Sequence, residues 1–275
     1  MGHTKEQSLV DGTAPIRTSP ELQRQLDEVV DCIQQNESFL VASHEEPDGD
    51  AIGSTLALGA LLEQLGKEVV RFNQDEVPYY CSFLYGSDEV YQTVAEPAEF
   101  DVVFLLDCSE FSRLGARFPA DEIAGEVVVI DHHRTYDSTR VDLAFRDEKA
   151  AATGELIYRM IEPLGAELDV ELARPIYTAL MTDTGSFQYS NTSRTTFRIA
   201  GELLDAGVDA WEMTMRVLES EPLRRVQLLG EVLDTLVLSS CGRLAFIRID
   251  GDLIEPGESA AELTDGFINY GRSIR

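Results

Sequence analysis

Apolar residues follow two rhythms along this 275-residue chain. In "SPELQRQLDEVVDCIQQN", Leu22, Leu26, Val29, Val30 and Ile33 recur at helical spacing behind a Ser-Pro opening, which predicts an amphipathic helix. In "FLVAS", "EVVRF", "DVVFLLD" and "EVVVID" the apolar residues are nearly continuous, as expected of strands buried on both faces of a parallel sheet. Between the first two lies "AIGSTLALGALLEQLG", a predicted helix that closes at Gly66. Strand, helix and strand in that order make the unit from which parallel sheets are built.

Three further segments read as helices with Gly or Pro punctuation: "AAATGELIYRMIEPLG", "DVELARPIYTALMTDTG" and "RTTFRIAGELLDAGVDAWEMTMRVL". A linker is expected at "ESEPL". Beyond it, "LLGEVLDTLVLSSCGRLAFIRID" predicts a helix or strand leading into a hairpin around Cys241 and Gly242, and "AELTDGFINYGRSIR" opens another helix. The expected fold is a three-layer α/β domain with a mainly parallel sheet, followed by a small and incomplete α/β C-terminal domain. The expected division is a flexible N-terminus over 1–20, a catalytic domain over 21–218, a linker over 219–225 and a thin second domain over 226–275. About fifty residues bury little core by themselves.

Composition narrows the functional classes. The formal net charge is -28, from 50 acids against 22 bases, which argues against a protein that grips long nucleic acid through a basic surface. A short anionic ligand stays open. No apolar run reaches the roughly 20 residues of a membrane span, and the polar start lacks the apolar core of a signal peptide, so a cytoplasmic protein is expected. The four cysteines, Cys32, Cys81, Cys108 and Cys241, show no CxxC spacing and are expected as buried free thiols. Trp211, the one tryptophan, is expected to pack on an amphipathic helix.

Only 4 histidines are present, and three stand at the ends of apolar runs. His44 comes with Asp48 and Asp50 in "FLVASHEEPDGDAIGS", and His132 and His133 follow Asp131 in "VVVIDHHRT". Asp107 in "FLLDCSE" and Asp183 in "LMTDTGSF" stand at comparable junctions. Taken singly, Asp-Gly-Asp is a turn, Asp107 or Asp183 a helix cap, and a histidine pair a surface feature. Taken together they differ, because the strand ends of an open parallel sheet converge on one crevice. Carboxylates with a few imidazoles suit Mn2+ or Mg2+, and six such groups suffice for two ions, the arrangement used for phosphoester displacement.

These motifs carry a resemblance. "HEEPDGDAIGS", "LLDCSE", "IDHH" and "TDTGSFQYSNTS" are similar to the four motifs of the DHH phosphoesterase superfamily, and residues 39–209 most resemble its bifunctional oligoribonucleases and 3'-phosphoadenosine 5'-phosphate phosphatases. The resemblance implies one metal at His44, Asp48 and Asp107 and a second at Asp50, Asp107, His132 and Asp183. The ions implied are two Mn2+, with Mg2+ or Co2+ as substitutes. Asp131 would orient its neighbouring ligand, and His133, Asp131 and Asp107 form the implied catalytic set. His133, with Arg134 and Arg194 as local basic candidates, would meet the substrate. The implied partners are short RNA oligonucleotides and 3'-phosphoadenosine 5'-phosphate, with no membrane, and a homodimer is the implied assembly.

The tail resembles the start of the family's second domain, DHHA1, and carries no glycine-rich "GGGH"-type phosphate loop. Tyr136 stands where relatives often have Asn, and Gln188 where many have Arg. Other activities of the superfamily stay open: a phosphodiesterase for linear or cyclic dinucleotides, a single-strand exonuclease, a pyrophosphatase, or a non-catalytic nucleotide binder.

Overall fold

A computed structural model describes residues 18–94, 98–119, 123–135, 139–256 and 258–274. The chain opens with helix α1 (Pro20–Gln35), which Ser19 caps by accepting the Leu22 N–H, and continues into β1 (Ser38–Ser43), α2 (Gly49–Gln64) and β2 (Glu68–Phe72). Short strand β3 (Val90–Tyr91), β4 (Ala98–Leu106), β5 (Ile123–Asp131) and β6 (Leu143–Arg146) follow. Then come α3 (Thr153–Leu164), α4 (Val170–Asp183), α5 (Arg194–Asp205), α6 (Ala210–Val217) and α7 (Leu223–Asp234). A hairpin of β7 (Val237–Leu238) and β8 (Ala245–Phe246), turning at Gly242, precedes the short helices α8 (Ala260–Thr264) and α9 (Ile268–Arg272).

The first six strands form one parallel sheet in the order β3-β2-β1-β4-β5-β6. Successive strands run outward from β1 in one direction and from β4 in the other, so the order reverses between these two neighbours. A crevice at the carboxyl ends of strands is expected at such a point. Register then decides which residues meet there. Ser43 pairs with Leu106 and Leu106 with Ile130, so β1 and β4 end level with Ile130, and His44, Asp107 and Asp131, the last residue of β5, come next in the three chains.

Alternation along the strands splits the core. Phe39, Val41, Phe104, Leu106, Val128 and Ile130 face α1, α2, α3 and α4, with the Phe39 and Phe104 rings stacked at 6.0 Å. Leu40, Ala42, Val103, Leu105 and Val129 face the other way, where Leu114 and Phe118 cover them. The central strands are therefore buried on both faces, as their unbroken apolar runs predict. Helix α2, apolar nearly all round, is buried between the sheet and the other helices.

Several expectations need correcting. The predicted N-terminal stretch 1–20 includes residues 1–17, outside the described residues, whereas Ser19 and Pro20 already belong to the start of α1. Helix α7 begins at Leu223, inside the expected linker. The segment from Arg194 is two helices separated at Gly207 and Val208, in keeping with its expected Gly punctuation, whereas Pro175 lies within α4 without ending it. Cys241 is exposed while the other three thiols are buried, because it sits in the hairpin turn. Trp211 is 69% exposed: it occupies the outward side of α6, whose Met213 and Val217 do the packing. No helix among the described residues is long and apolar enough to cross a membrane.

Close packing holds α2, α3 and α4 together. A Cβ on Gly53 would lie 2.6 Å from the Pro175 carbonyl oxygen and 3.0 Å from the Ala179 amide nitrogen, and one on Gly154 would lie 2.6 Å from the Ala179 Cβ. Backbone thus rests directly on backbone. In an exposed helix Gly→Ala gains about 1 kcal/mol, but forcing an extra methyl into a full core costs about 1–3 kcal/mol. We therefore expect Gly53→Ala to lower the urea midpoint of unfolding, and an unchanged or raised midpoint would show that α2 and α4 can separate freely.

Candidate functional site

The crevice at the strand reversal is lined by imidazoles and carboxylates. His44 Nε2 lies 3.5 Å from Asp107 Oδ2, and His132 Nε2 lies 3.5 to 3.6 Å from carboxylate oxygens of Asp50, Asp107 and Asp183. His133 Nδ1 lies 2.8 Å from Asp131 Oδ1 and 3.4 Å from Asp107 Oδ1. Three sets of ligand atoms lie within 4.8 Å of one another: His44, Asp48 and Asp107; Asp50, His132 and Asp183; and Asp107, His132 and His133. Residues from five chain segments thus meet around Asp107.

Local structure explains each placement. Asp48 caps α2, its Oδ1 accepting the Asp50 and Ala51 N–H groups at 3.0 Å. Asp50, in the first turn of the helix, is buried and accepts from Thr153 N at 2.6 Å, Gly154 N at 3.1 Å and Ser54 Oγ at 2.9 Å, so the start of α3 points its free amides at this carboxylate. Asp107 adopts φ 57°, a left-handed conformation that a short polar side chain tolerates, and accepts from Thr153 Oγ1 at 2.9 Å. Asp183 ends α4, the negative end of the helix dipole, where a carboxylate is disfavoured by a few tenths to about 1 kcal/mol. A neighbouring positive charge offsets that.

The imidazoles are oriented from behind. His44 Nδ1 lies 2.7 Å from the Glu45 carbonyl oxygen and His132 Nδ1 3.3 Å from that of Ala150, so each Nδ1 donates outward and Nε2 is turned towards the carboxylates. Asn73, at the end of β2, secures the β1 exit by donating to the His44 carbonyl oxygen at 2.8 Å. Asn191 does the same for α4, donating to the Asp183 carbonyl oxygen at 3.0 Å. Asp131 holds His133, through both its backbone N–H at 2.9 Å and its Nδ1, and not His132 as its place in the motif suggests.

Charge here is strongly unbalanced. Burial, then Asp107, Asp183 and Asp48, push the Asp50 carboxyl well above its ordinary range. Burial and Asp48 do the same to Asp107, and burial raises Asp183. Burial alone would raise Asp131, but its bonds to His133 bring it below the usual range. The hydrogen bond to Asp131, against the opposing effect of burial, raises His133 to about 9. His132 Nε2 is buried, faces three carboxylates and has no hydrogen-bond partner among the described residues. A divalent cation answers both the unspent nitrogen and the excess of buried acid, so the donor set fits such an ion.

Beside the cluster lies a cavity of about 740 Å³, reached from Asp48 and Asp183 and walled by Tyr79, Tyr80 and Tyr189, with Arg225 and Arg272 on the C-terminal side. Gln188 is exposed and also lines it. Arg134 and Arg194 are exposed, one in the turn after His133 and one at the start of α5, and neither is among the residues lining this cavity. Tyr136 lies outside the described residues. Thr153, Ala150, Asn73 and Asn191 escaped the sequence reading, although the small residues and Thr-Gly of "AAATGE" before an apolar periodic run were a usable sign of a helix start.

Comparison with known proteins agrees with this architecture. Residues 38–182 match the model of the DHH family, N-terminal domain. The chain is 33% identical over 265 residues to the bifunctional oligoribonuclease and PAP phosphatase NrnA of Thermus thermophilus, spanning 96% of this chain and 77% of that protein. It is 30% identical to the protein of the same name from Bacillus subtilis, across 86% of this chain and 74% of that one. Among solved structures, an exopolyphosphatase-related protein from Bacteroides fragilis superposes with a TM-score of 0.81 at 27% identity, covering 92% of this chain and 77% of that one.

Because folding raises the pKa of Asp183, the stability tied to its protonated form is present below the ordinary range of about 4 and is lost as pH rises through the raised value. Asp183→Asn removes that loss. In chelator at about pH 8 the variant should melt a few degrees higher than the parent, by about 2–4 °C if 1 kcal/mol is regained. Added Mn2+ should raise the parent's midpoint more than the variant's. A variant that melts lower in chelator would show that the carboxylate is stabilising without a cation.

Proposed function

The chain belongs to the DHH family, and from this we propose that it is a two-metal phosphoesterase. Its proposed substrates are short RNA, hydrolysed to mononucleotides, and 3'-phosphoadenosine 5'-phosphate, hydrolysed to AMP. The observation that carries this reading is the convergence of His44, Asp48, Asp50, Asp107, His132 and Asp183 on one point at the strand ends, beside a cavity of nucleotide size. The names of the relatives from Thermus thermophilus and Bacillus subtilis support the choice of substrates.

In this reading His44, Asp48 and Asp107 hold one cation and Asp50, Asp107, His132 and Asp183 the other, with Asp107 common to both. Mixed carboxylate and imidazole donors favour Mn2+, with Mg2+ or Co2+ able to replace it. When bound, such a pair supplies positive charge to a phosphoryl group and lowers the pKa of water at the site. Asp131 fixes the His133 ring through Nδ1, which leaves Nε2 for the substrate. With its pKa raised to about 9, His133 carries a proton at neutral pH. It neutralises a phosphoryl oxygen and delivers that proton to the departing ribose oxygen as water adds to phosphorus.

Tyr79, Tyr80 and Tyr189 provide faces on which bases stack, and Arg272 provides positive charge across the cavity. Arg134 and Arg194 are kept as outer contacts for longer substrates. An overall charge of -28 is compatible with an anionic substrate because attraction is confined to the site. The proposed location is the cytoplasm. A homodimer is the proposed assembly, read by sedimentation velocity.

The test is release of phosphate and AMP from 3'-phosphoadenosine 5'-phosphate, and of mononucleotides from RNA of two to five residues, with and without Mn2+. Turnover should require the cation and fall by about 10²–10³-fold or more in His132→Ala. Turnover that survives both chelation and this substitution would sink the two-metal reading, and hydrolysis of pyrophosphate alone would move the protein to another branch of the family.

A further inference from the structure

Strand β6 ends at Arg146, which the register with β5 sets directly opposite Asp131. Its side chain is 15% exposed and runs beneath the turn that leaves β5. Nη2 donates to the His133 carbonyl oxygen and, at 3.2 Å, to that of Thr135, while Nε faces Asp131 Oδ2 at 3.8 Å. The backbone N–H of Arg146 donates to Gln25 Oε1 of α1 at 3.0 Å, tying this strand end to the helical layer. One planar group therefore reaches both ends of the Asp131 to Thr135 turn.

The two adjacent histidines are supported separately. His133 is held by Asp131, and Asp131 and the His133 carbonyl are both faced by Arg146. The described support of the His132 ring comes from the Ala150 carbonyl, on the segment leading into α3. We propose that Arg146 is a positioning residue for His133: it fixes the Asp131 carboxylate and the turn so that the ring faces the phosphoryl group, and it takes no part in holding cations. This rests on the reading of His133 as the residue that meets the scissile phosphoester. A lysine would supply the charge without the fork that spans two carbonyls and a carboxylate.

The test is a double-mutant cycle on Mn2+-loaded protein with 3'-phosphoadenosine 5'-phosphate, using Arg146→Ala, His133→Ala and the pair, with Mn2+ affinity measured by calorimetry. Arg146→Ala should lower kcat by about 10–100-fold, the range for loss of an outer support, with KM and Mn2+ affinity changed by less than about 3-fold. In the His133→Ala background the same change should cost less than about 3-fold more. Millimolar guanidinium should restore part of the activity of Arg146→Ala, and Arg146→Lys should restore less than half of it. If Arg146→Ala does not fold, Arg146→Lys enters the cycle in its place, with the same requirement that its loss vanish without His133.

A loss that persists in full without His133, or a fall in Mn2+ affinity that parallels kcat, overturns the assignment. So does full activity in Arg146→Ala. Absence of turnover by the unsubstituted protein would instead overturn the reading of the site.

Discussion

Four aspartates, 48, 50, 107 and 183, are forced into one small volume, and two of them are almost wholly removed from water. Like charges so placed repel, and burial adds a cost of several kcal/mol for each that stays ionised. Everything around them serves to make that arrangement tolerable. The start of α3 turns amide hydrogens on Asp50, Thr153 bonds Asp107, and imidazoles rather than further acids fill the remaining directions. The sheet contributes geometry: three strands in register present His44, Asp107 and Asp131 as neighbours at their ends. Positive charge placed among these carboxylates would relieve their repulsion, which is what the proposed cations would supply.

The candidate site residues were legible because each combined an unusual side chain with a recognisable position. His44, Asp107 and Asp131 stand at the ends of long apolar runs, and chain direction in a parallel sheet brings such ends together. Strands β1, β2, β4 and β5 could be read for the same reason. Strands β3 and β6 could not, since two residues and four carry no periodicity. Trp211 was misjudged because a helix has an outer face as well as an inner one, and eight residues leave the phase of α6 poorly determined.

The supporting residues escaped for a different reason. Ala150 acts through its carbonyl oxygen, which any residue would supply, and Thr153 acts across 46 positions on Asp107. Arg146, on a strand too short to read, donates to the carbonyls of His133 and Thr135 in the β5 turn. Partnerships of this kind are set by tertiary placement, so they leave little trace in local sequence. The division between Asp131 and its two following histidines is the clearest case: adjacency suggested His132, whereas the carboxylate turns back to the residue two positions on.

The contact between α2 and α4 bears on selectivity. Asp48 and Asp50 stand at the start of one helix and Asp183 at the end of the other, and the two meet where Gly53 rests on the Pro175 carbonyl and the Ala179 amide and where the Thr182 side chain lies against Gly49. The carboxylates are therefore mounted on two closely packed helices. If the proposed cations are held here, ions of Mg2+ or Mn2+ size, content with oxygens near about 2.0–2.2 Å, would ask less of this packing than Ca2+, which needs about 2.3–2.6 Å and more ligands. Discrimination between such ions would then be set by how closely two helices touch, at a distance from any atom that binds them.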